Sequence, residues 1–362
     1  MPFNKTNLIN LVQLAVQHGA SDIHIRSGEV PCLRIRGDLV PVKTNPLSAE
    51  DMKEVSKIIL HKKEVLENLG SLTEYDGGFA IPGLCRIRFN FFRFNRKIGL
   101  ILRIVKESIP TLESLGLPKV LMHIAQQQRG LVLVTGATGS GKSTTLAGMI
   151  DYINTNRACH IITVEDPVEY LHPQKTARVS QREIGKDTKD FASALRGALR
   201  QDPDVILIGE MRDIETVQIA LKAAETGHIV FSTIHTTDAI TSIGRLISMF
   251  PPEEQTEVRK RLAENLYATI SQRMLKNADG TGVVIAQEIM VTSPGIKECI
   301  KGEESISRIP QIIREGRGKG GNGSQSFDQN IMELYESGSI TKETALSAVS
   351  SQSDFMQSLI VN

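Results

Sequence analysis

Apolar and polar positions along the chain change period twice, and the changes divide it into three stretches. Near the start, Leu8, Leu11, Val12, Ala15 and Val16 recur at the spacing of one helix face, with Asn10 and Gln13 interrupting the run. Ile23-His24-Ile25 and Cys32-Leu33-Arg34-Ile35-Arg36 then read as strands turning at Gly37-Asp38. Ser48, followed three residues later by Asp51, opens a helix whose strong helix formers reach Asn68. Arg86-Ile87-Arg88-Phe89-Asn90-Phe91 alternates strictly, so its arginines share one strand face and its apolar side chains form the other, the core face. Residues 1–107 are thus expected to form an α+β domain.

Residues 108–118, from Ser108-Ile109-Pro110 to Gly116-Leu117-Pro118, carry the proline and glycine punctuation of a linker about which two domains could move. Beyond it the strand-like runs become wholly apolar: Leu131 to Val134, Ile161 to Val164, Val205 to Ile208 and Ile229 to Ile234. Helical segments separate them, the first with Leu146, Met149, Ile150 and Ile153 on one face. This alternation predicts a mostly parallel sheet covered on both faces, within a domain of residues 119–290. After Val283-Val284-Ile285 helices dominate, giving a C-terminal helical region over 291–362. The glycine-rich run Gly316 to Gly323 interrupts it and reads as a mobile loop. No internal repeat is visible.

Composition narrows the classes of function. Lysine and arginine number 42 against 41 acidic residues, so the net field offers no general attraction for nucleic acid or an anionic membrane. Cys32, Cys85, Cys159 and Cys299 lie far apart, with no pair at metal-ligand or redox spacing, as expected of a reduced cytoplasmic compartment. The N-terminal run reads as an amphipathic helix rather than a signal peptide, and no apolar run approaches the ~20 residues of a membrane span.

Candidate chemistry begins where the first apolar strand ends. In Gly136-Ala137-Thr138-Gly139-Ser140-Gly141-Lys142-Ser143 the glycines let backbone N–H groups close around phosphates, Lys142 reaches the β/γ oxygens and Ser143 holds Mg²⁺. The strand before it and the helix after it are what such a P-loop requires, and the helix N-terminus, including Thr144, turns its free N–H groups toward the anion.

In a parallel sheet the ligand lies outside the carboxyl ends of the strands. Three further groups fall there: Glu165 and Asp166, then Glu210, then His235. Glu210 suits the residue that positions or deprotonates an attacking water. Asp202 and Asp204 precede their strand and so sit at the wrong edge. Glu165 reads as a second acid polarising a metal-bound water, or as a carboxylate capping the next turn. His235 reads equally as a reporter on the γ-phosphate and as a structural histidine. Spacing does not rank Arg196, Arg200 and Arg212.

With these residues the chain resembles the secretion ATPase superfamily. The P-loop, Glu165-Asp166-Pro167-Val168-Glu169-Tyr170, Asp202-Pro203-Asp204 through Gly209-Glu210-Met211-Arg212-Asp213, and Thr226-Gly227-His228 through His235-Thr236-Thr237 look like its Walker A, Asp box, Walker B and His box, in order. Ala20-Ser21-Asp22-Ile23-His24 and Phe250-Pro251-Pro252-Glu253-Glu254 extend the likeness, which is nearest to the type IV pilus retraction ATPases.

The resemblance implies a PAS-like N-terminal domain, a RecA-like P-loop ATPase domain with C-terminal helices, ATP and Mg²⁺ as ligands, and a homohexameric ring. It implies a cytoplasmic protein held peripherally at the inner membrane by a platform protein at the pilus base, where ATP hydrolysis drives retraction and twitching motility. Arg88, Arg96 and Arg103 match the family's N-terminal-domain arginines that complete the nucleotide site. Ser143 would bind Mg²⁺ directly, and Glu165 and Glu210 through water.

The assembly and type II secretion ATPases carry a four-cysteine zinc motif after Walker B, where this chain has Cys299 alone, so no zinc is expected. The retraction segment Ala-Ile-Arg-Asn-Leu-Ile-Arg-Glu corresponds to Gly295-Ile296-Lys297-Glu298-Cys299-Ile300-Lys301-Gly302, whose Lys297 and Lys301 are expected on an exposed coupling face. That divergence and Ser326-Phe327-Asp328-Gln329 keep open an accessory ATPase, or a nucleotide-regulated adaptor, acting on a sister motor ring. A nucleic-acid remodelling ATPase is disfavoured by the balanced charge and few aromatic residues.

Overall fold

The computed structural model describes residues 3–35, 37–60, 63–105, 108–318 and 320–361, and the chain divides at Ser108 and Ile109 into two units. The first is built from α1 (Lys5–Gln17), β1 (Asp22–Arg26), β2 (Cys32–Ile35), β3 (Asp38–Pro41), α2 (Ala49–Ile59), α3 (Lys63–Glu67), β4 (Glu74–Ile81), β5 (Cys85–Phe94) and β6 (Lys97–Val105). Its strands form an antiparallel sheet in the order β3-β2-β1-β6-β5-β4. The alternation read around Arg88 is β5, with Ile87, Phe89 and Phe91 buried among Leu8, Val12, Met52 and Val55 of α1 and α2. One sheet face is therefore core because two amphipathic helices lie on it.

Local chemistry sets these ends. Ser48 and Asp51 form the expected reciprocal capping box, each side chain bonding the other's backbone N–H. The helix expected to reach Asn68 instead ends at Ile59, and α3 follows; His61 and Lys62 lie outside the described residues, as does Arg36, expected at the end of β2.

The second unit contains α4 (Val120–Ala125), β7 (Gly130–Thr135), α5 (Lys142–Asn156), β8 (His160–Glu165), β9 (Arg178–Glu183), α6 (Phe191–Ala198), β10 (Val205–Ile208), α7 (Ile214–Glu225) and β11 (Ile229–Ile234). It continues with α8 (Ala239–Ser248), α9 (Gln255–Asn265), β12 (Leu266–Lys276) and β13 (Val283–Val291), then α10 (Pro294–Lys301), α11 (Ile309–Glu315), α12 (Phe327–Glu336), α13 (Lys342–Ala348) and α14 (Gln352–Val361). The sheet order is β13-β12-β7-β11-β10-β8-β9, parallel throughout except for β13 at one edge. Every residue of β7, β10 and β11 is buried, the mark of central strands covered on both faces. Leu133, Ile206 and Ile234 pack on one side with α7 and α8; Val132, Val134 and Phe231 pack on the other with α4 and α5.

Two sequence expectations change. Residues 109–118 are folded into the second unit: Leu112 is 1% exposed within its core, and Leu112 and the Pro110 carbonyl lie 3.1 and 3.2 Å from where a Cβ on Gly148 of α5 would stand. The glycine-rich run is also anchored. Asn322 Nδ2 donates to the Val291 carbonyl at 2.8 Å, Val291 N donates to Ser324 Oγ at 2.9 Å, and Gly323 lies against Val120. Lys319, within that run, is outside the described residues.

Candidate active site

Because β7, β8, β10 and β11 are parallel, the segments leaving them emerge along one sheet edge, and the sequence-predicted groups gather there. Asp204 precedes β10 and lies at the opposite edge, where its carboxylate accepts from His160 N at 2.8 Å. It is structural, as its position before the strand implied.

The loop between β7 and α5 is shaped for an anion. Gly136, Gly139 and Gly141 have φ of 143°, 82° and 88°, and a Cβ at Gly136 would stand 2.5 Å from Ser140 Oγ and 2.6 Å from the Gln272 carbonyl. Only glycine allows the chain to close this tightly. Gly141 caps α5, so the first N–H groups of a 15-residue helix point into the loop. Ser140 Oγ is buried without a partner among the described residues, which suits a cradle that takes up a polar ligand. β12 runs past the end of β7 and walls the other side, leaving a cavity of about 240 Å³ lined by Ala137 to Ser140, Thr237 and Gln272 to Met274.

Four side chains connect in sequence across the edge. Lys142 Nζ donates to the Gly136 and Ala137 carbonyls, both at 2.9 Å, and lies 3.4 Å from His235 Nδ1. His235 Nε2 stands 3.3 Å from Glu210 Oε1, and Arg212 Nη2 lies 2.6 Å from Glu210 Oε2. Burial pushes the Lys142 ammonium down, opposed by the charges of Glu210 and Glu169. Burial alone would raise the Glu210 carboxyl, but the Arg212 hydrogen bond and the charges of His235 and Arg212 together hold it below its ordinary range. The Glu210 backbone is clamped from both sides: Thr233 Oγ1 donates to the Gly209 carbonyl at 2.7 Å, and Met211 N donates to the Thr233 carbonyl at 3.1 Å.

Glu165 ends β8 next to Gly209, whose Cβ would stand 3.3 Å from the Glu165 Cα. Burial raises its carboxyl, opposed by donation from Thr163 Oγ1 at 2.7 Å and Gln181 Nε2 at 3.3 Å, both to Oε1. Ser143 and Glu165 line one small cavity of about 40 Å³ with Glu169, Tyr170 and His172, and Thr144 Oγ1 is 3.0 Å from the Tyr170 hydroxyl. Ser143 and the two acids thus offer oxygen chemistry suited to a hard divalent cation, with the remaining ligands to come from phosphate and water. Among the described residues no group of three or more histidines, cysteines or acids forms a cage for a metal by itself.

Arg212 is the arginine that spacing did not rank; its place two residues after Glu210 was the available signal. Arg196 pairs instead with Glu215 on α7. Gln181 and His172 were missed altogether, since nothing in the sequence shows that β9 lies beside β8.

In the first unit Arg88 of β5 stands opposite Arg103 of β6, on the strand face away from the core, and Arg96 occupies the intervening turn at φ 63°. Arg103 Nε donates to the buried Asp22 carboxylate at 2.9 Å. In the second unit, Lys297 and Lys301 of α10 both grip Glu264 of α9, at 2.8 and 2.7 Å, and hold its carboxyl down at about 2. The expected coupling lysines are thus engaged within their own chain. No helix among the described residues is long and apolar enough to cross a membrane.

Known proteins resemble this chain over most of its length. The Type II/IV secretion system protein family matches residues 84–345. Over 339 residues the chain is 42% identical to the type IV pilus retraction ATPase PilT of Pseudomonas aeruginosa, covering 94% of this chain and 97% of that protein. It is 38% identical over 349 residues to the type IV pilus ATPase PilU of the same organism, covering 95% and 89%. The crystal structure of the pilus retraction motor PilT with bound ADP superposes with a TM-score of 0.87 at 39% identity, covering 97% of this chain and 99% of that one. The mixed α/β architecture is that of the secretion ATPases, and the chain belongs to the Type II/IV secretion system protein family.

Proposed function

We propose that this protein is an ATP hydrolase that works as a homohexameric ring and powers type IV pilus retraction, and with it twitching motility. The observation that carries the reading is the chain of contacts from Lys142 through His235 to Glu210 beside the glycine cradle. The PilT likeness supports retraction as the work done.

In this reading Gly136, Ala137, Thr138, Gly139, Ser140, Gly141 and Thr144 hold the phosphates through the loop and helix N-terminus, and Lys142 neutralises their charge. Ser143 would hold Mg²⁺, with Glu165 and Glu210 acting on it through water. When bound there, the metal would supply a charge that offsets the one developing on the transferred phosphoryl group. Glu210 orients or deprotonates the attacking water. His235, between Lys142 and Glu210, reports the state of the phosphates to the segment that follows β11. Arg88, Arg96 and Arg103 of a PAS-like first unit complete the site of a RecA-like second unit. The junction at Ser108 serves as the hinge, residues 109–118 being packed on α5. The ring acts on an inner-membrane platform protein from the cytoplasmic side.

Steady-state ATP hydrolysis by the purified protein tests the enzyme. Glu210→Gln is expected to lower kcat by about 10²-fold or more while nucleotide still binds. Equal turnover in that variant would remove Glu210 from the mechanism. The accessory reading rests on the PilU relative and on the engagement of Lys297 and Lys301 with Glu264. It predicts nucleotide binding with little turnover in the unmutated protein, and retraction only when a sister ATPase is present.

A further inference from the structure

The small cavity behind Ser143 holds a feature that the proposed mechanism leaves unused. His172, on the loop between β8 and β9, is 8% exposed, and its Nδ1 is buried with no hydrogen-bond partner among the described residues. Burial, with Lys175 adding and Asp151 opposing, lowers the imidazole to about 4, so it is neutral and can offer a lone pair. Glu165 lines the same cavity. Oε1 takes the Thr163 hydroxyl and the Gln181 amide, whereas Oε2 meets only the backbone N–H of Glu169, at 3.5 Å, among the described residues. Gln181 ties the two together. Its Oε1 accepts from His172 N at 2.7 Å, while its Nε2 donates to Glu165 and, at 2.8 Å, to the Tyr170 carbonyl. The cavity measures about 40 Å³ against roughly 10–15 Å³ for one water, and its wall is polar at Ser143, Glu165, Tyr170 and Thr233.

We propose that this cavity is a buried water site, and that His172 is a positioning residue which uses the water to fix the Glu165 carboxyl. One O–H of the water donates to His172 Nδ1 and the other to Glu165 Oε2, with the oxygen toward the hydroxyls of the wall. The carboxylate facing Ser143 is thereby held from both oxygens. The catalytic consequence rests on the ATPase reading; the water site itself does not.

The test uses the full chain and the variants His172→Phe, which keeps the bulk and removes both nitrogens, and His172→Asn, which keeps an acceptor. High-resolution crystal structures should show a water within hydrogen-bond distance of Nδ1 and Glu165 in the unmutated protein and none in His172→Phe. In ATP hydrolysis titrated with Mg²⁺, His172→Phe should lower kcat about tenfold and raise the half-saturating Mg²⁺ concentration, with the KM for ATP and the melting temperature nearly unchanged. His172→Asn should restore most of the loss. An empty cavity in the unmutated protein overturns the site. Equal kinetics for the two variants, or a loss that follows the melting temperature, overturns the positioning role. If the unmutated protein hydrolyses no ATP, the ATPase reading fails, and the crystallographic water still decides this proposal.

Discussion

Glu210 illustrates how much of the chemistry is set by single side chains. Burial and the Arg212 hydrogen bond push its carboxyl in opposite directions, and the arginine, helped by His235, prevails. Arg212→Ala leaves burial as the larger influence, so the carboxyl must rise. A group with a depressed pKa stays charged as the pH falls and is protonated only below its ordinary range; once the depression is relieved, protonation begins at higher pH. The acid limb of kcat/KM is therefore expected to move toward neutral in Arg212→Ala, measured from about pH 5 to 8. An unmoved limb would mean that Arg212 leaves Glu210 when substrate enters. At this scale the placement of Glu210 and His235 along one sheet edge was legible because each follows a strand whose apolar run marks its end, and that of Lys142 and Ser143 because the glycine spacing marks the loop. Arg212 was visible but unranked, since a surface arginine two residues from an acid is common. Gln181 was illegible because its role comes from the pairing of β8 with β9, which lies outside any local pattern.

Elements carry the next constraint, and Gly136 shows it most sharply. Its φ of 143° is one that L side chains rarely adopt, and a Cβ there would press on Ser140 Oγ and on the Gln272 carbonyl of β12. Gly136→Ala must therefore shift the loop away from the strand that walls it. Because the loop supplies the N–H cradle, we expect at least about a tenfold loss of nucleotide affinity by fluorescent-nucleotide titration. The parallel sheet beneath should survive, since its central strands are held on both faces, so far-UV circular dichroism should change little. A variant that binds nucleotide normally would show that the loop relaxes freely. The strands were read correctly from their apolar runs and α5 from its periodicity. Less legible were features decided by distant packing: the anchoring of Asn322 and Ser324 on Val291, and the capture of Lys297 and Lys301 by Glu264.

The whole molecule raises the question of whether one unit's arginines serve the other's nucleotide. On the solvent-facing side of β5 and β6, Arg88 and Arg103 stand opposite each other, an arrangement of like charges that nearby negative charge stabilises. Asp22 supplies such a charge to Arg103. Its buried carboxyl, which burial would raise, is held low by Ser21 and Arg103. The two arginines should therefore separate by experiment. Arg103→Ala strands a buried carboxylate, and a cost of roughly 1–3 kcal/mol should appear as a lower melting temperature. The depressed Asp22 contributes stability above its ordinary range that is lost as the pH falls, so this deficit should shrink on acidification. Arg88→Ala removes a charge from the same face without stranding Asp22. If that face closes on phosphate, kcat/KM for ATP should fall about 10²-fold in Arg88→Ala. Unchanged hydrolysis in Arg88→Ala, with Arg103→Ala losing stability alone, would mean that the second unit holds a complete site, and that the motor's closure does not run through these arginines.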